Sequence, residues 1–315
     1  MLGVREHPRV AVFGAGAVGC FFGGMLARAG VPLTLIGRAR HVDAIKADGL
    51  FFDGLRFQER IPVSATTDVS AARDADIVLF CVKTVDTEEA AKLLRPEALT
   101  ISLQNGVDNV SRIRAATGIE VIPAVVYVAA EMTAPGRVKH SGRGDLVIGD
   151  IWGNDRLQGR LAGIAQMFEQ AEVPCRVSEN VEGELWKKMI INCAYNAISA
   201  LGRAKYAALV RDTLTRELMR LVTEEAITVA RAGGVRLPAV DLMDAVWKIG
   251  DAMAEATSST AQDIARGNRT EIDSLNGYIV RRGAELGMSV PANQTLHALV
   301  KLLEGNSGTG SEIPK

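Results

Sequence analysis

Apolar residues in the first half of the chain form short continuous runs, which are typical of strands covered on both faces. These runs occupy residues 9–13, 32–36, 77–82, 100–103 and 121–130. Residues 21–29, between the first two runs, predict a helix that ends at Gly30. This alternation predicts an α/β domain with a Rossmann-type, doubly wound parallel sheet. Turn residues within residues 137–150 predict a β-hairpin.

The pattern changes to helical periodicity after about residue 178. Four helix-like segments follow, at residues 179–200, 213–232, 239–256 and 270–286. We therefore predict a nucleotide-binding domain over residues 1–178 and an all-helical domain over residues 179–304. Residues 305–315 are rich in Gly and Ser and predict a disordered tail. The cleft between the two domains is the expected active site.

A glycine-rich loop follows the first predicted strand and opens the first helix. It consists of Gly14, Ala15, Gly16, Ala17, Val18 and Gly19. In a GxGxxG loop the glycines allow a tight turn, close approach of the backbone to a pyrophosphate, and close packing of helix on strand. The helix N-terminus that follows favours phosphate groups. The strand before it and the second strand after it indicate a dinucleotide site rather than a merely flexible loop.

The end of the second predicted strand indicates which nicotinamide cofactor is bound. NAD enzymes usually have Asp or Glu at this position, where it binds the ribose hydroxyls. Here the sequence continues Gly37-Arg38-Ala39-Arg40, without a carboxylate. The Arg38 guanidinium can form paired, charge-assisted hydrogen bonds with a 2′-phosphate. We predict NADPH, the alternative being that these arginines are ordinary surface residues.

A polar stripe runs along the otherwise apolar helix at residues 186–196. Lys188, Asn192 and Asn196 recur every fourth residue and so share one face. Burying such groups without partners is unfavourable, and a polar ligand in a cleft would supply partners. A solvent-facing edge of the helix is the alternative explanation.

Two further segments contain candidate helix caps. Thr270 and Asp273 resemble a capping box, which would place Glu271 in the first turn of a helix. An acid in the first turn is often explained by the helix dipole alone. Ser258 and Ser259 are equally compatible with ordinary N-cap positions.

Composition excludes several other classes of function. The chain has 315 residues and a formal net charge of −1, so it lacks the basic field that nucleic acids or anionic membranes require. Its four cysteines are widely spaced and predict reduced thiols and no zinc site. Cys81, in an apolar run, is expected to be a small buried residue. Without a signal peptide or a membrane-length apolar stretch, we expect a cytoplasmic protein.

Taken together, these motifs resemble the ketopantoate reductase (2-dehydropantoate 2-reductase) family, the NADPH enzymes of pantothenate synthesis. The resemblance spans roughly residues 9–304. It is carried by the loop at residues 14–19, the turns at 81–84 and 104–106, the Lys188/Asn192/Asn196 helix, and the block from Ser258 to Gly277. Their common order and spacing make the resemblance specific.

The resemblance implies a role for each matching residue. Lys188 would be the general acid that protonates the carbonyl oxygen during hydride transfer, and Glu271 would orient the substrate hydroxyl and contact the cofactor. The remaining implied contacts are Asn192, Asn196 and Ser259 with the substrate, Asn105 with both cofactor and substrate, and Lys83 and the backbone near Ala130 with the cofactor. In such a site we expect burial to lower the lysine pKa and Glu271 to raise it.

One departure from the family pattern concerns the far side of the substrate pocket. Tyr206, preceded by Lys205, stands where family members often have a polar residue. The leading hypothesis is ketopantoate reduction. The alternatives are reduction of another small 2-keto acid by the same mechanism, and a non-catalytic NADPH-binding sensor. The sequence leaves the oligomeric state open, and a homodimer is a hypothesis.

Overall fold

A computed structural model describes residues 8–308 of the chain, with side chains described through residue 305. The chain divides into two compact units between Val181 and Glu182. The sequence placed this boundary between residues 178 and 179. Residues up to Val181 belong to the first unit because Val181 packs against Gly149, where an added Cβ would lie 2.8 Å from the Val181 Cβ.

The first unit is built on one mixed, mostly parallel sheet. Within the described residues its strands are β1 (Val10–Phe13), β2 (Leu33–Ile36), β3 (Leu50–Asp53), β4 (Gln58–Ile61), β5 (Ser64–Thr66), β6 (Ile77–Phe80), β7 (Leu99–Ser102), β8 (Ile122–Ala134), β9 (Arg137–Ile148) and β10 (Cys175–Val177). The order is β4-β3-β9-β8-β7-β6-β1-β2-β5, and β10 pairs with β9. The part from β8 to β5 has the parallel order of a doubly wound sheet, which confirms the predicted fold class.

Helices cover both faces of this sheet. They are α1 (Ala17–Arg28), α2 (Ala39–Asp48), α3 (Thr87–Ala91), α4 (Asn109–Thr117) and α5 (Asp155–Gln170), with 3-10 helices at Val69–Asp74 and Thr84–Asp86. Successive β1 residues alternate between two apolar clusters: Val10 and Val12 pack in one, Ala11 and Phe13 in the other. The continuous apolar runs of the sequence therefore form buried strands, as predicted. Helix α1 begins before its predicted start, directly at the glycine loop.

The predicted hairpin has a different turn. Residues 137–148 form the single strand β9, which pairs antiparallel with β8, so the reversal of the chain lies at Pro135-Gly136. Arg143 and Gly144 have φ angles of +54° and +142°, and the register with β8 shifts beside them. The turn-like residues within 137–150 thus form an irregularity in a long strand rather than a loop.

The second unit consists of helices. They are α6 (Val181–Gly202), α7 (Tyr206–Arg211), α8 (Thr213–Ala232), α9 (Leu242–Ala252), α10 (Ser259–Ala265), α11 (Asn276–Glu285) and α12 (Pro291–Gly308), with a 3-10 helix at Ile272–Ser274. The helix predicted at residues 213–232 is confirmed with the same bounds. The one predicted at 239–256 is shorter, because Asp241 caps the helix by accepting hydrogen bonds from the amides of Met243 and Asp244.

Two expectations for the end of the chain are wrong. The continuous helix predicted over residues 270–286 is divided at Leu275, whose φ and ψ of −111° and −106° are not helical. The predicted disordered tail begins too early, because α12 continues through Gly308. The rest of that tail lies outside the described residues.

No helix within residues 8–308 is long and apolar enough to cross a membrane. Those residues also contain no group of three or more His, Cys, Asp or Glu side chains that could hold a metal ion. All four cysteines are free thiols; Cys20, Cys175 and Cys193 are buried. Cys81 is only half-buried, although it packs against the core as expected.

Candidate active site

The glycine loop lies where the direction of the strand order reverses, between β1 and β6. Gly14 has φ +117°, and a Cβ there would lie 2.7 Å from the carbonyl carbon of Cys81, in the turn after β6. At Gly19 a Cβ would lie 2.1 Å from the carbonyl oxygen of Gly14. Both positions therefore require glycine for packing within the protein, which are the tight-turn and close-packing roles of the motif.

Gly16 differs from the other two glycines, because a Cβ there would have no neighbour within 4 Å. It is also the N-cap of α1, which has no side-chain cap and no acid in its first turn. The unpaired amides of a helix N-terminus, without a competing carboxylate, favour an anion. The open space and the uncapped helix end thus fit the pyrophosphate of a dinucleotide.

The Arg38 turn packs directly on this loop. A Cβ at Gly37 would lie 2.6 Å from the Ala15 Cβ, and the exposed Arg38 is the N-cap residue of α2. Burial, followed by the charges of Arg40 and Arg38, lowers the pKa of the neighbouring His41. The turn after β2, residues 37–41, therefore carries two arginines and no carboxylate.

A buried polar network joins the turns after β6 and β7, which contain Lys83 and Asn105. The Asn109 side-chain amide donates to the Asn105 carbonyl over 2.6 Å. The Gln104 amide donates to the Val82 carbonyl (3.1 Å) and to the Thr87 hydroxyl (2.8 Å). The two turns are thus held in fixed relation, with Asn105 half-buried and Lys83 exposed.

Strand pairing is irregular at the predicted nicotinamide contact. Ala130 lies in β8 opposite His140 of β9, and the register shifts between Ala129 and Ala130. Such bulges redirect backbone groups and are common beside active sites. The half-buried Ala130 is therefore at a position where the ladder is locally disrupted.

The polar stripe of the second unit lies along α6. Lys188 and Asn192 are half-buried, whereas Asn196 is 3% exposed. The Asn196 amide donates to the Ser259 hydroxyl over 3.4 Å, although the two residues are 63 positions apart. The fold thus brings together two of the predicted substrate contacts.

Ser258 fixes the position of Ser259. Its hydroxyl donates to the Asn196 carbonyl (3.0 Å) and accepts from the Ala261 amide (3.0 Å), so it is the N-cap of α10. Of the two serines that the sequence left equivalent, Ser258 is the cap. The Ser259 side chain is thereby held next to Asn196.

The capping box predicted at Thr270 and Asp273 does not form. The Thr270 hydroxyl accepts from the Ile272 amide, but the Thr270 amide donates to Glu304. The Asp273 carboxylate instead binds the side chains of His297 and Lys301 on α12. The Thr270 hydroxyl also donates to Glu304, so long-range contacts occupy both side chains, which explains why a regular helix does not start here. Glu271, half-buried, precedes the short 3-10 helix instead.

Tyr206 packs within the helical unit. It is 9% exposed, and its ring centroid lies 4.4 Å from that of Tyr195, the neighbour of Asn196 on α6. Burial raises the pKa of Tyr206 to about 12. Tyr206 therefore packs against the turn of α6 that contains Asn196.

Several supporting residues were not identified from the sequence. They are Thr87 and Asn109 in the first unit, and His297, Lys301 and Glu304 in the second. Thr87 and Asn109 lie in mostly polar stretches, where a polar residue gives no distinctive local signal. The α12 residues follow an ordinary amphipathic pattern and give none.

The fold and the loop define a dinucleotide-binding protein with a separate helical unit, and comparisons with known proteins specify the family. The family profile described as "Ketopantoate reductase PanE/ApbA" matches residues 10–153, and "Ketopantoate reductase PanE/ApbA C terminal" matches residues 180–304. The 2-dehydropantoate 2-reductase of Archaeoglobus fulgidus is 34% identical over 298 residues, covering 94% of this chain and 98% of that protein.

The homologue from Pyrococcus horikoshii, also a 2-dehydropantoate 2-reductase, is 32% identical and covers 95% of this chain and 99% of that protein. A crystal structure of a PanE/ApbA family ketopantoate reductase from Ralstonia eutropha is 51% identical, with a TM-score of 0.89 and coverage of 96% and 100%. The chain belongs to the ketopantoate reductase family.

Proposed function

We propose that the protein reduces 2-dehydropantoate to pantoate with NADPH. The observation that carries the proposal is the α6 stripe, in which an amide hydrogen-bonded to Ser259 follows a half-buried lysine on the same helix face. A cation and several hydrogen-bonding groups on one face suit a small, polar, anionic keto acid. The full-length relatives named 2-dehydropantoate 2-reductase support this substrate.

The residues of the first unit fit NADPH as the cofactor. The loop at residues 14–19 would hold the pyrophosphate at the N-terminus of α1, and Arg38 would bind the 2′-phosphate. Lys83, Asn105 and the backbone at Ala130 would contact the cofactor further along. The support is the open backbone at Gly16, the uncapped helix and the exposed guanidinium.

Lys188 would act as the general acid. The bound cofactor supplies the hydride that attacks the keto carbon, and negative charge then develops on the carbonyl oxygen. An ammonium group positioned at this oxygen stabilises the charge and donates the proton. Partial burial of Lys188 would strengthen this interaction, because a less polar surrounding screens charge less.

The other polar groups would orient the substrate. Asn192, Asn196 and Ser259 would bind its hydroxyl and carboxylate, Asn105 would bridge substrate and cofactor, and Glu271 would accept a hydrogen bond from the substrate hydroxyl. Cleft position, cytoplasmic location and homodimer formation all stay predictions.

The first experiment follows NADPH absorbance during turnover of 2-dehydropantoate. We expect Lys188→Ala to reduce kcat by about 100- to 10,000-fold, the range for loss of a general acid, while NADPH affinity is retained. Lys187→Ala is the matched control, because it removes the same charge one residue away and outside the stripe. Loss of NADPH binding in Lys188→Ala, or an equal effect of both variants, would exclude the proposed role.

A panel of 2-keto acids tests the alternative substrates in the same assay. Preference for a different branched or polar 2-keto acid would keep the Lys188 mechanism and replace the substrate. Binding of NADPH without turnover of any keto acid would instead support the sensor hypothesis.

A further inference from the structure

Glu271 lies in an irregular segment between α10 and α11. It precedes a single 3-10 turn, in which the Ser274 amide donates to the Glu271 carbonyl over 2.9 Å. The chain then leaves helical conformation at Leu275 before α11 begins. The backbone around Glu271 is therefore not part of an α-helix, and contacts with neighbouring helices contribute to its position.

Glu304 of α12 holds the residue immediately before Glu271. One of its carboxylate oxygens accepts two hydrogen bonds from Thr270, from the amide at 2.7 Å and the hydroxyl at 2.6 Å. Thr270 is 1% exposed, so these bonds are shielded from water. The backbone on the N-terminal side of Glu271 is thus fixed by a residue 34 positions away.

Ionic contacts hold the other side of Glu271. The Asp273 carboxylate binds the His297 ring over 2.7 Å and the Lys301 ammonium over 3.0 Å. Lys301 also pairs with Glu304 over 2.8 Å. Lys301 therefore links the anchors on the two sides of Glu271 into one network.

The same segment is attached to the α6 helix that carries the polar stripe. The Asn276 amide donates to the Cys193 carbonyl over 3.2 Å, and Cys193 is adjacent to Asn192. Asn276 is fully buried. The segment is therefore held between α12 on one side and the stripe helix on the other.

Both carboxylates of the network are stabilised in their charged forms. Burial alone would raise the pKa of Glu304, but hydrogen bonds from Lys301 and Thr270 lower it overall. The pKa of Asp273 is also lowered, because hydrogen bonds from His297 and Lys301 outweigh its burial. The acids thus act as hydrogen-bond acceptors at neutral pH.

We infer that Glu304 and Lys301 of α12 are positioning residues that hold Glu271 in place for the reaction through Thr270 and Asp273. The inference rests on the proposed role of Glu271. It assigns to the end of α12 a function in turnover rather than in stability alone.

The test compares Glu304→Ala with the conservative variant Glu304→Gln. Glu304→Ala removes the acceptor for Thr270, and we expect kcat to fall about tenfold. Glu304→Gln keeps a carbonyl oxygen that can accept from Thr270, and should recover most of this loss. Glu285→Gln is the control, because it removes an exposed acid paired with Arg282 in the same unit.

A double mutant separates positioning from a general structural effect. In a Glu271→Gln background, Glu304→Ala should lower kcat by less than about twofold, because its target is already lost. A full, multiplicative loss in that background would overturn the inference. Lys301→Met, which removes the link between the two anchors, gives the same test if Glu304→Ala does not fold.

Hydrogen exchange tests the anchoring without any turnover. The amides of Thr270 and Ile272 should exchange about tenfold faster in Glu304→Ala than in the wild type or Glu285→Gln. Unchanged exchange would refute the anchoring even if the enzyme is active. Two outcomes would instead refute the proposed function while the anchoring holds. In both, exchange is faster in Glu304→Ala, but either the wild type does not turn over the keto acid or Glu271→Gln has no effect on kcat.

Discussion

The two units of the protein form their parts of the candidate site in different ways. In the first unit the site depends on where the backbone can go, and the decisive residues are glycines in a single loop. In the second unit it depends on side chains from separate helices, such as Asn196 and Ser259, which are 63 positions apart. A site formed by backbone can therefore be predicted from a short stretch of sequence. A site formed by side chains from separate helices can be predicted only when the long-range contacts that hold those side chains are known.

The glycine loop gives the largest expected effect and tests the first half of this comparison. Gly19→Ala places a Cβ 2.1 Å from the Gly14 carbonyl oxygen, in a contact between backbone segments that cannot relax cheaply. We expect the free energy of unfolding to fall by about 3 kcal/mol or more. Denaturant unfolding measures this loss.

Gly16→Ala is the matched control for that variant. Its Cβ meets nothing within 4 Å, so we expect the free energy of unfolding to change by less than about 0.5 kcal/mol. Its affinity for NADPH should nevertheless fall, because the methyl group occupies the space through which the pyrophosphate approaches. A stability loss as large as that of Gly19→Ala would contradict the assignment of Gly16 to the ligand.

These glycines show why the first unit could be predicted in most respects. Each apolar run became a strand, and the spacing from the loop to Arg38 follows from one β-α-β unit. The polar residues that hold the turns after β6 and β7 could not be predicted in this way. Thr87 acts through contacts with Gln104 and Asn109, which lie 17 and 22 positions away. The hairpin was misplaced because Gly142 to Gly144 resemble a turn but form an irregularity within β9.

Arg38→Ala gives the next largest effect and tests how the nucleotide is distinguished. Loss of charge-assisted bonds to a 2′-phosphate should raise the Kd for NADPH by about 10- to 100-fold. The Kd for NADH should change by no more than about twofold, because NADH lacks that phosphate. Isothermal titration with both nucleotides measures the difference.

Arg40→Ala controls for general loss of positive charge at the same turn, since Arg40 is also exposed. Equal weakening of NADPH and NADH by Arg38→Ala would remove Arg38 from this role. If Arg40→Ala raises the Kd for NADPH as much as Arg38→Ala does, the turn attracts the 2′-phosphate through its total positive charge and not through a specific contact with Arg38.

The second unit was predicted less completely, for a physical reason. The α6 stripe follows from a spacing of four residues, and α8 follows from its periodicity. The segment at 270–276 has a strong local capping signal that is overridden by ionic contacts with α12. Local propensities of this kind are worth about 1 kcal/mol, less than several charged hydrogen bonds formed together.

Acid unfolding gives the smallest expected effect and tests those ionic contacts. The pKa values of Asp273 and Glu304 are lowered from their ordinary values of 3.8 and 4.5 by the folded structure. Their stabilisation is therefore complete above about pH 4.5 and is lost as the pH falls through the lower folded-state values. Because both groups are partly exposed, we expect them to contribute roughly 1 kcal/mol in all to the free energy of unfolding.

Urea unfolding at pH 7 and pH 3.5 measures this contribution. The free energy of unfolding should fall more between the two pH values for the wild type than for Glu304→Gln, which has one titrating group fewer. Equal losses would mean that the Glu304 contacts contribute no stability, and the anchoring of the segment would then depend on the Asp273 and Asn276 contacts that follow Glu271.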